Sequence, residues 1–255
     1  MHFNTWAIEQ LYILLIIFSR IFGVFIFVPG IGERFISNRI KITLAFLLAL
    51  LLTPVLNLFF NVTIPQSSLL FFLKIGAEIM IGCYFGLTLK IVVSTINMMG
   101  FVISSATGLS AANIFDPLQA SQGSIVGNFL SITFLVLLFS FNLDHDLIKL
   151  IATSYDKFPL WSFFDSINDI AQLFIDTVQS SWFLAIKLSL SFLIISFIIN
   201  VSAGLISRLM PQMNVFFVVM PVQILIGFFV MMLSLSSILL LFINEYKSYI
   251  YNFLG

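Results

Sequence analysis

Six apolar runs dominate this sequence: Leu11–Val28, Ile42–Phe60, Leu69–Val93, Ile125–Phe141, Phe183–Ile206 and Val215–Ile243. Each approaches the ~20 residues that an α-helix needs to cross the hydrocarbon core of a bilayer. In lipid, every backbone N–H and C=O must find its partner within the protein, so runs of this length are expected as helices. Charged residues make up 9% of the chain and hydrophobic ones 60%, whereas a soluble domain carries about 25% charged residues. So few charges cannot cover a globule in water. The expected fold is all-α: a polytopic membrane protein, one domain over residues 1–255, with about six apolar helical segments and an amphipathic helix outside the membrane.

The links between the runs differ in character. Pro29-Gly30 closes the first run, and a basic link follows with Glu33, Arg34, Arg39 and Lys41. From Ser94 to Asn113 small residues prevail, which lets helix backbones approach closely in a membrane. Phe115-Asp116-Pro117 is expected to end that helix, because the residue before a proline is pushed out of the α region. Asn142–Ser181 reads as a polar loop, with six aspartates against two lysines. Within it Asp165, Asp169 and Asp176 share one helical face, and Ile167, Ala171, Phe174 and Val178 the other. That pattern predicts an amphipathic helix at the bilayer surface or against a partner, with Ser162 and Asp165 as candidate start signals. With six spans and the N-terminus outside, the inner links hold Arg34, Arg39, Lys41, Lys90 and Arg208, and the outer segments Lys149, Lys157 and Lys247. That bias follows the positive-inside rule.

Charges within apolar runs need a reason, since each costs at least ~2.5–3.5 kcal/mol at a helix centre on insertion scales. Arg20, Lys74, Glu78 and Lys187 are the candidates, with Lys90 near a span end, where it can snorkel to the headgroups. Lys74 and Glu78 stand four apart and can pair along one helical face. Arg20 and Lys187 are expected to meet acidic or carbonyl groups of partner subunits. Gly82 and Gly86 form a GxxxG spacing that suits close helix packing. Met98, Met99, Met210 and Met213 flank the irregular regions, where flexible thioethers suit either a deformable seal or ordinary packing.

The stretch from Arg208 to Gly227 holds Arg208, Pro211, Gln212, Asn214, Phe216, Pro221 and Gly227 between two apolar runs. Pro211 cannot continue a helix without losing a backbone bond. The amides of Gln212 and Asn214 can hold freed backbone groups or a neighbouring helix. Pro221 predicts a kink in the last run. By composition alone this suits a partner contact and a plain joint equally.

The order of these blocks resembles one known family. R-x-x-P-Q-x-N-x-F from Arg208 to Phe216, followed by Pro221 and Gly227, resembles the C-terminal signature of the FliR-like proteins, which are flagellar biosynthesis and type III secretion (SctT-class) export-gate subunits. Gly108, Leu109, Ser110 and Phe115-Asp116-Pro117 are similar to the central block G-L-S-x-A-x-x-F-D-P. Pro29-Gly30 with Arg34 and Arg39 resembles the first block, and Ser154–Pro159 a later piece. Asn142–His145 departs from the family's N-G-H, because the glycine is absent and Asp144 precedes the histidine. The resemblance implies kinked helical hairpins that need not span the bilayer, in a bacterial inner membrane at the flagellar basal body. It implies assembly with FliP-like and FliQ-like subunits and contact with an FlhB-like switch protein, around a conduit for unfolded polypeptides. It also implies that the central loop, Gly108 to Gln122, is the plug of the resting gate.

No enzyme is expected. G-x-S-x-G, H-E-x-x-H and P-loop motifs are missing, and the only cysteine, Cys83, stands apart from His2 and His145. No catalytic, cofactor or metal residues are therefore assigned, and a formal net charge of zero gives no basis for nucleic-acid binding. A small-molecule permease with a site at broken helices is the alternative.

Overall fold

The computed structural model describes residues 2–33, 36–56, 67–111, 124–160, 167–212 and 214–254. Seven α-helices follow in chain order: α1 His2–Phe27, α2 Asn38–Leu56, α3 Ser68–Ala106, α4 Ile125–Ser140, α5 Leu143–Lys157, α6 Ile167–Leu209 and α7 Val215–Leu254. No strand occurs among the described residues, so the fold is all-α. Five helices are long and apolar enough to cross a membrane, or six when α4 and α5 are counted as one broken span.

Three expectations about extent change. Asn142–Ser181 is not a loop, since it contains α5 and the first turns of α6. Its polar composition hides an apolar stripe of Leu143, Leu147, Leu150, Ile151 and Tyr155, spaced as one buried helical face. The amphipathic segment is likewise not a separate helix but runs on into the fifth apolar run, and it buries Ile170 and Thr177 rather than Ile167 and Ala171. Asp165 and Ser162 lie outside the described residues. The third helix stops at Ala106, well before Phe115-Asp116-Pro117, because Gly108 takes a left-handed φ of 74° just past its end. Pro221 sits in the second turn of α7, and the helix continues past it to Leu254.

One chain-long domain is the expectation from sequence, and the described residues gather into two compact units. The first comprises Met1–Ile91, Asn142–Thr177 and Tyr249–Gly255; the second comprises Val92–Phe141 and Val178–Ser248.

In the first unit α1 is apolar on nearly every side, and it buries Tyr12, Ile13, Ile16, Ile17, Ile21, Val24 and Phe25. It meets α3 at glycines. A Cβ on Gly23 would lie 2.5 Å from the carbonyl oxygen of Ile79, and one on Gly86 2.6 Å from that of Val24. A Cβ on Gly82 would overlap the carbonyl oxygen of Arg20. The GxxxG spacing is therefore a helix crossing in which only hydrogen fits. Lys41 donates to the carbonyl of Gly32 at 2.9 Å and fixes the turn between α1 and α2.

In the second unit the small-residue half of α3 lies against α4. A Cβ on Gly100 would overlap the backbone of Gly127. Ser124 caps α4, its Oγ accepting from the N–H of Gly127 at 3.0 Å and donating to the carbonyl of Gly100 at 2.9 Å. Phe134 stacks edge-on against Phe242, with ring centroids 5.0 Å apart, and joins α4 to α7.

Candidate functional site

Two arrangements of polar groups stand out, one in each unit. In the first unit Arg20 of α1 is wholly buried. Its Nε donates to Glu78 Oε2 of α3 at 2.7 Å, and that carboxylate is equally shut off from solvent. One terminal nitrogen donates to Ser154 Oγ at 3.2 Å, the other to the carbonyl of Phe158 at 3.0 Å. The guanidinium carbon lies 3.8 Å from the centre of the Tyr155 ring. The rigid fork of arginine is thus used on three partners and one aromatic face. The Phe158 ring wedges against Phe85, with centroids 5.6 Å apart.

This arrangement changes one expectation and adds a partner for Glu78. Arg20 meets a carboxylate and a carbonyl of its own chain rather than of a partner subunit. Glu78 pairs with a residue 58 positions away. The reason is the glycine crossing, which brings α1 close enough for Arg20 to reach Glu78. Sequence reasoning missed Ser154, Tyr155 and Phe158 as contributors. The available signal was the apolar stripe of α5, which continues through Ser154 and Tyr155.

In the second unit the end of α3 is held by α7. Gln223 Nε2 donates to the carbonyl of Ala106, the last helical residue of α3, at 2.6 Å, and to Ser196 Oγ of α6 at 3.2 Å. One turn on, a Cβ at Gly227 would overlap the Thr107 side chain. Gly227 therefore serves close approach, and Gln223 caps the base of the central loop. Gln223 was not singled out from sequence, although it lies between the signature residues Pro221 and Gly227. Asn200 Nδ2 adds a 3.3 Å bond to Ser196 Oγ.

The remaining candidates are dispersed. Gly108, Leu109 and Ser110 follow the end of α3 and are half-buried, with Leu109 in a short 3-10 turn. Phe115, Asp116 and Pro117 lie outside the described residues. Arg208, Pro211, Gln212 and Asn214 are exposed in the joint between α6 and α7, while Phe216 and Pro221 lie in α7. Lys187 is exposed on α6 between the exposed Phe183, Ile186 and Leu190. Lys74 is half-buried, and Lys90 holds its amine 5.7 Å from the Phe27 ring. His145 is a surface histidine beside Asp144. No cluster of metal-ligating side chains occurs among the described residues.

Residues 11–249 match the model of the family described as bacterial export proteins, family 1. The chain belongs to that family. It is 32% identical to the flagellar biosynthetic protein FliR of Caulobacter vibrioides over 241 residues, which cover 93% of this chain and 94% of the relative. It is 28% identical to the protein of the same name from Aquifex aeolicus over 243 residues, covering 94% and 92%. The Bacillus subtilis FliR is 25% identical over 235 residues, covering 91% and 90%. The FliR-like resemblance of the separate sequence blocks thus extends over the whole chain. The family match runs through α1 to α7 and so takes in both the buried arginine and the α3 clasp.

Proposed function

We propose that this chain is a structural subunit of the flagellar-type protein export gate, helping to form the inner-membrane conduit through which unfolded flagellar subunits are secreted. The observation that carries the reading is the chain-long likeness to several proteins named flagellar biosynthetic protein FliR. The geometry agrees with it in one respect. The apolar windows of α6 and α7 are only 28% and 17% buried, against 56% for α1 and α3. Such faces suit a subunit wrapped by further membrane helices. On this reading those neighbours are FliP-like and FliQ-like subunits, with an FlhB-like switch protein alongside, at the flagellar basal body.

Each candidate group then has a role. The central loop that begins at Gly108 and carries Phe115, Asp116 and Pro117 closes the resting conduit. Arg208, Pro211, Gln212 and Asn214 meet sister subunits at the joint. Lys187 meets a carboxylate on a neighbouring helix, which removes most of the penalty of a charge on an apolar face. The subunit contributes no catalysis and no cofactor.

The test is deletion of the gene in its own host, with secretion of rod and hook proteins measured in the medium. Secretion should cease and return with the wild-type chain. Undiminished secretion in the deletion strain, or solute uptake by the purified chain alone, would overturn the reading.

A further inference from the structure

A serine inside an apolar helix can satisfy its own hydroxyl by donating to a carbonyl of the preceding turn. On α6 Ser189 donates to the carbonyl of Ala185 at 2.9 Å, Ser202 to that of Ile198 at 2.9 Å and Ser207 to that of Gly204 at 2.8 Å. Ser196 makes no such bond. Its Oγ accepts from Gln223 Nε2 at 3.2 Å and from Asn200 Nδ2 at 3.3 Å. Two accepted bonds use both lone pairs of a hydroxyl. The Ser196 hydrogen is left over, on a buried side chain and with no acceptor among the described residues. A buried donor left unmet is costly.

Thr107, just past the end of α3, has the opposite shortfall. Its Oγ1 spends its one hydrogen on the carbonyl of Ile103 at 2.9 Å, with that of Ser104 at 3.4 Å. The same oxygen accepts nothing among the described residues. This side chain is also buried, and its methyl faces Gly227. Thr107 and Ser196 line one cavity of about 10 Å³ within the second unit, together with Phe192, Ile195, Gln223 and Val230. That is room for about one water molecule and for nothing larger. None of the described lining residues is charged.

We propose that a single water molecule is bound in this cavity, accepting from Ser196 Oγ and donating to Thr107 Oγ1. Size and hydrogen bonding select it together. A cation would face the Ser196 hydrogen, an anion would face the Thr107 oxygen, and a lipid methyl would satisfy neither group. Water is small enough and is both donor and acceptor. The bound molecule gives α6 a second hold on the end of α3. Gln223 already links Ser196 to the carbonyl of Ala106, and the water links Ser196 to the next residue, Thr107. With its oxygen held on one side, Thr107 keeps its methyl turned to Gly227. The water thus belongs to the clasp at the base of the central loop, whatever the loop closes.

The first test is a density map of the purified full-length chain, with any membrane proteins that accompany it, at a resolution that shows ordered solvent. One peak should stand about 2.5–3.0 Å from both Ser196 Oγ and Thr107 Oγ1. An empty cavity, a neighbouring side chain filling it, or a peak within reach of only one oxygen would overturn the site. The second test is a double-mutant cycle read by thermal unfolding in detergent. Ser196→Ala and Thr107→Val should each lower the midpoint by a few degrees. The two oxygens share no direct bond, so without the water their losses should add. With it, the double variant should lose clearly less than the sum, and additive losses would count against the bridge. Thr107→Ser keeps the oxygen and should keep the peak. If Thr107→Val does not fold, the map of the unaltered chain and that of Thr107→Ser still decide. None of these outcomes depends on secretion, so the site and the export reading stand or fall separately.

Discussion

The Nε of Arg20 lies 2.7 Å from Oε2 of Glu78, across 58 residues of chain, with both side chains closed off from solvent. A buried pair of this kind is weak evidence for stability but a strong constraint on register, since removing one member strands the other. Arg20→Met or Glu78→Leu alone should each destabilise the folded chain by about 3–5 kcal/mol. The double variant should recover much of that loss, leaving the Phe158 carbonyl without its donor. Unfolding of the purified protein in detergent, followed by circular dichroism, measures this. Equal losses in the single and double variants would mean that the pair is not coupled.

Glycines on one helix give an internally controlled comparison. A Cβ on Gly82 would overlap the Arg20 carbonyl, whereas one on Gly76 meets nothing within 4 Å. Gly76→Ala should stabilise α3 by about 0.5–1 kcal/mol through backbone entropy. Gly82→Ala should destabilise by about 1–3 kcal/mol through overpacking. The same unfolding measurement separates them, and similar effects at the two sites would count against the crossing.

The Gln223 clasp bears on the base of the central loop. Gln223→Met keeps the length and apolar stem but removes the donor to Ala106. It should cost about 1–3 kcal/mol for the unpaired carbonyl. If the loop closes the conduit, the variant should also raise ion leakage through assembled gates. Shortening Gly108–Gln122 should raise it further. Conductance of reconstituted complexes is the readout, and wild-type conductance in both variants would separate the loop from closure.

The exposed joint predicts an effect on assembly rather than folding. Arg208→Ala, Gln212→Ala and Asn214→Ala should leave the amount of chain in the membrane unchanged while lowering co-purification with FliP-like partners. Lys187→Met should lower co-purification, because the proposed carboxylate on the neighbouring helix loses its partner, and Lys187→Glu should lower it further. Quantitative pull-down from membranes, normalised to the amount of the chain, decides each case.

These expectations also mark what the sequence made legible. The apolar runs and the family blocks located most of the helices, because membrane insertion leaves a composition signal strong enough to read locally. Helix ends were less visible. α3 runs through the small-residue stretch as expected but stops at Ala106 rather than at Phe115-Asp116-Pro117, because a left-handed glycine ends a helix without the plain signal a proline gives. α5 was hidden because its buried stripe is diluted by aspartates on its outer face. The partners of Arg20 were out of reach altogether. They come from α3, α5 and the residue that ends α5, far away in the chain, where spacing along one helix carries no information.

The bare flanks of α6 and α7 have a consequence for the living cell. On the export-gate reading, a copy made in excess of its companions keeps these apolar faces and the exposed Lys187 uncovered. Such an orphan is a natural target for membrane-bound quality-control proteases. On that reading its abundance should follow the supply of the neighbouring subunits, and not its own rate of synthesis.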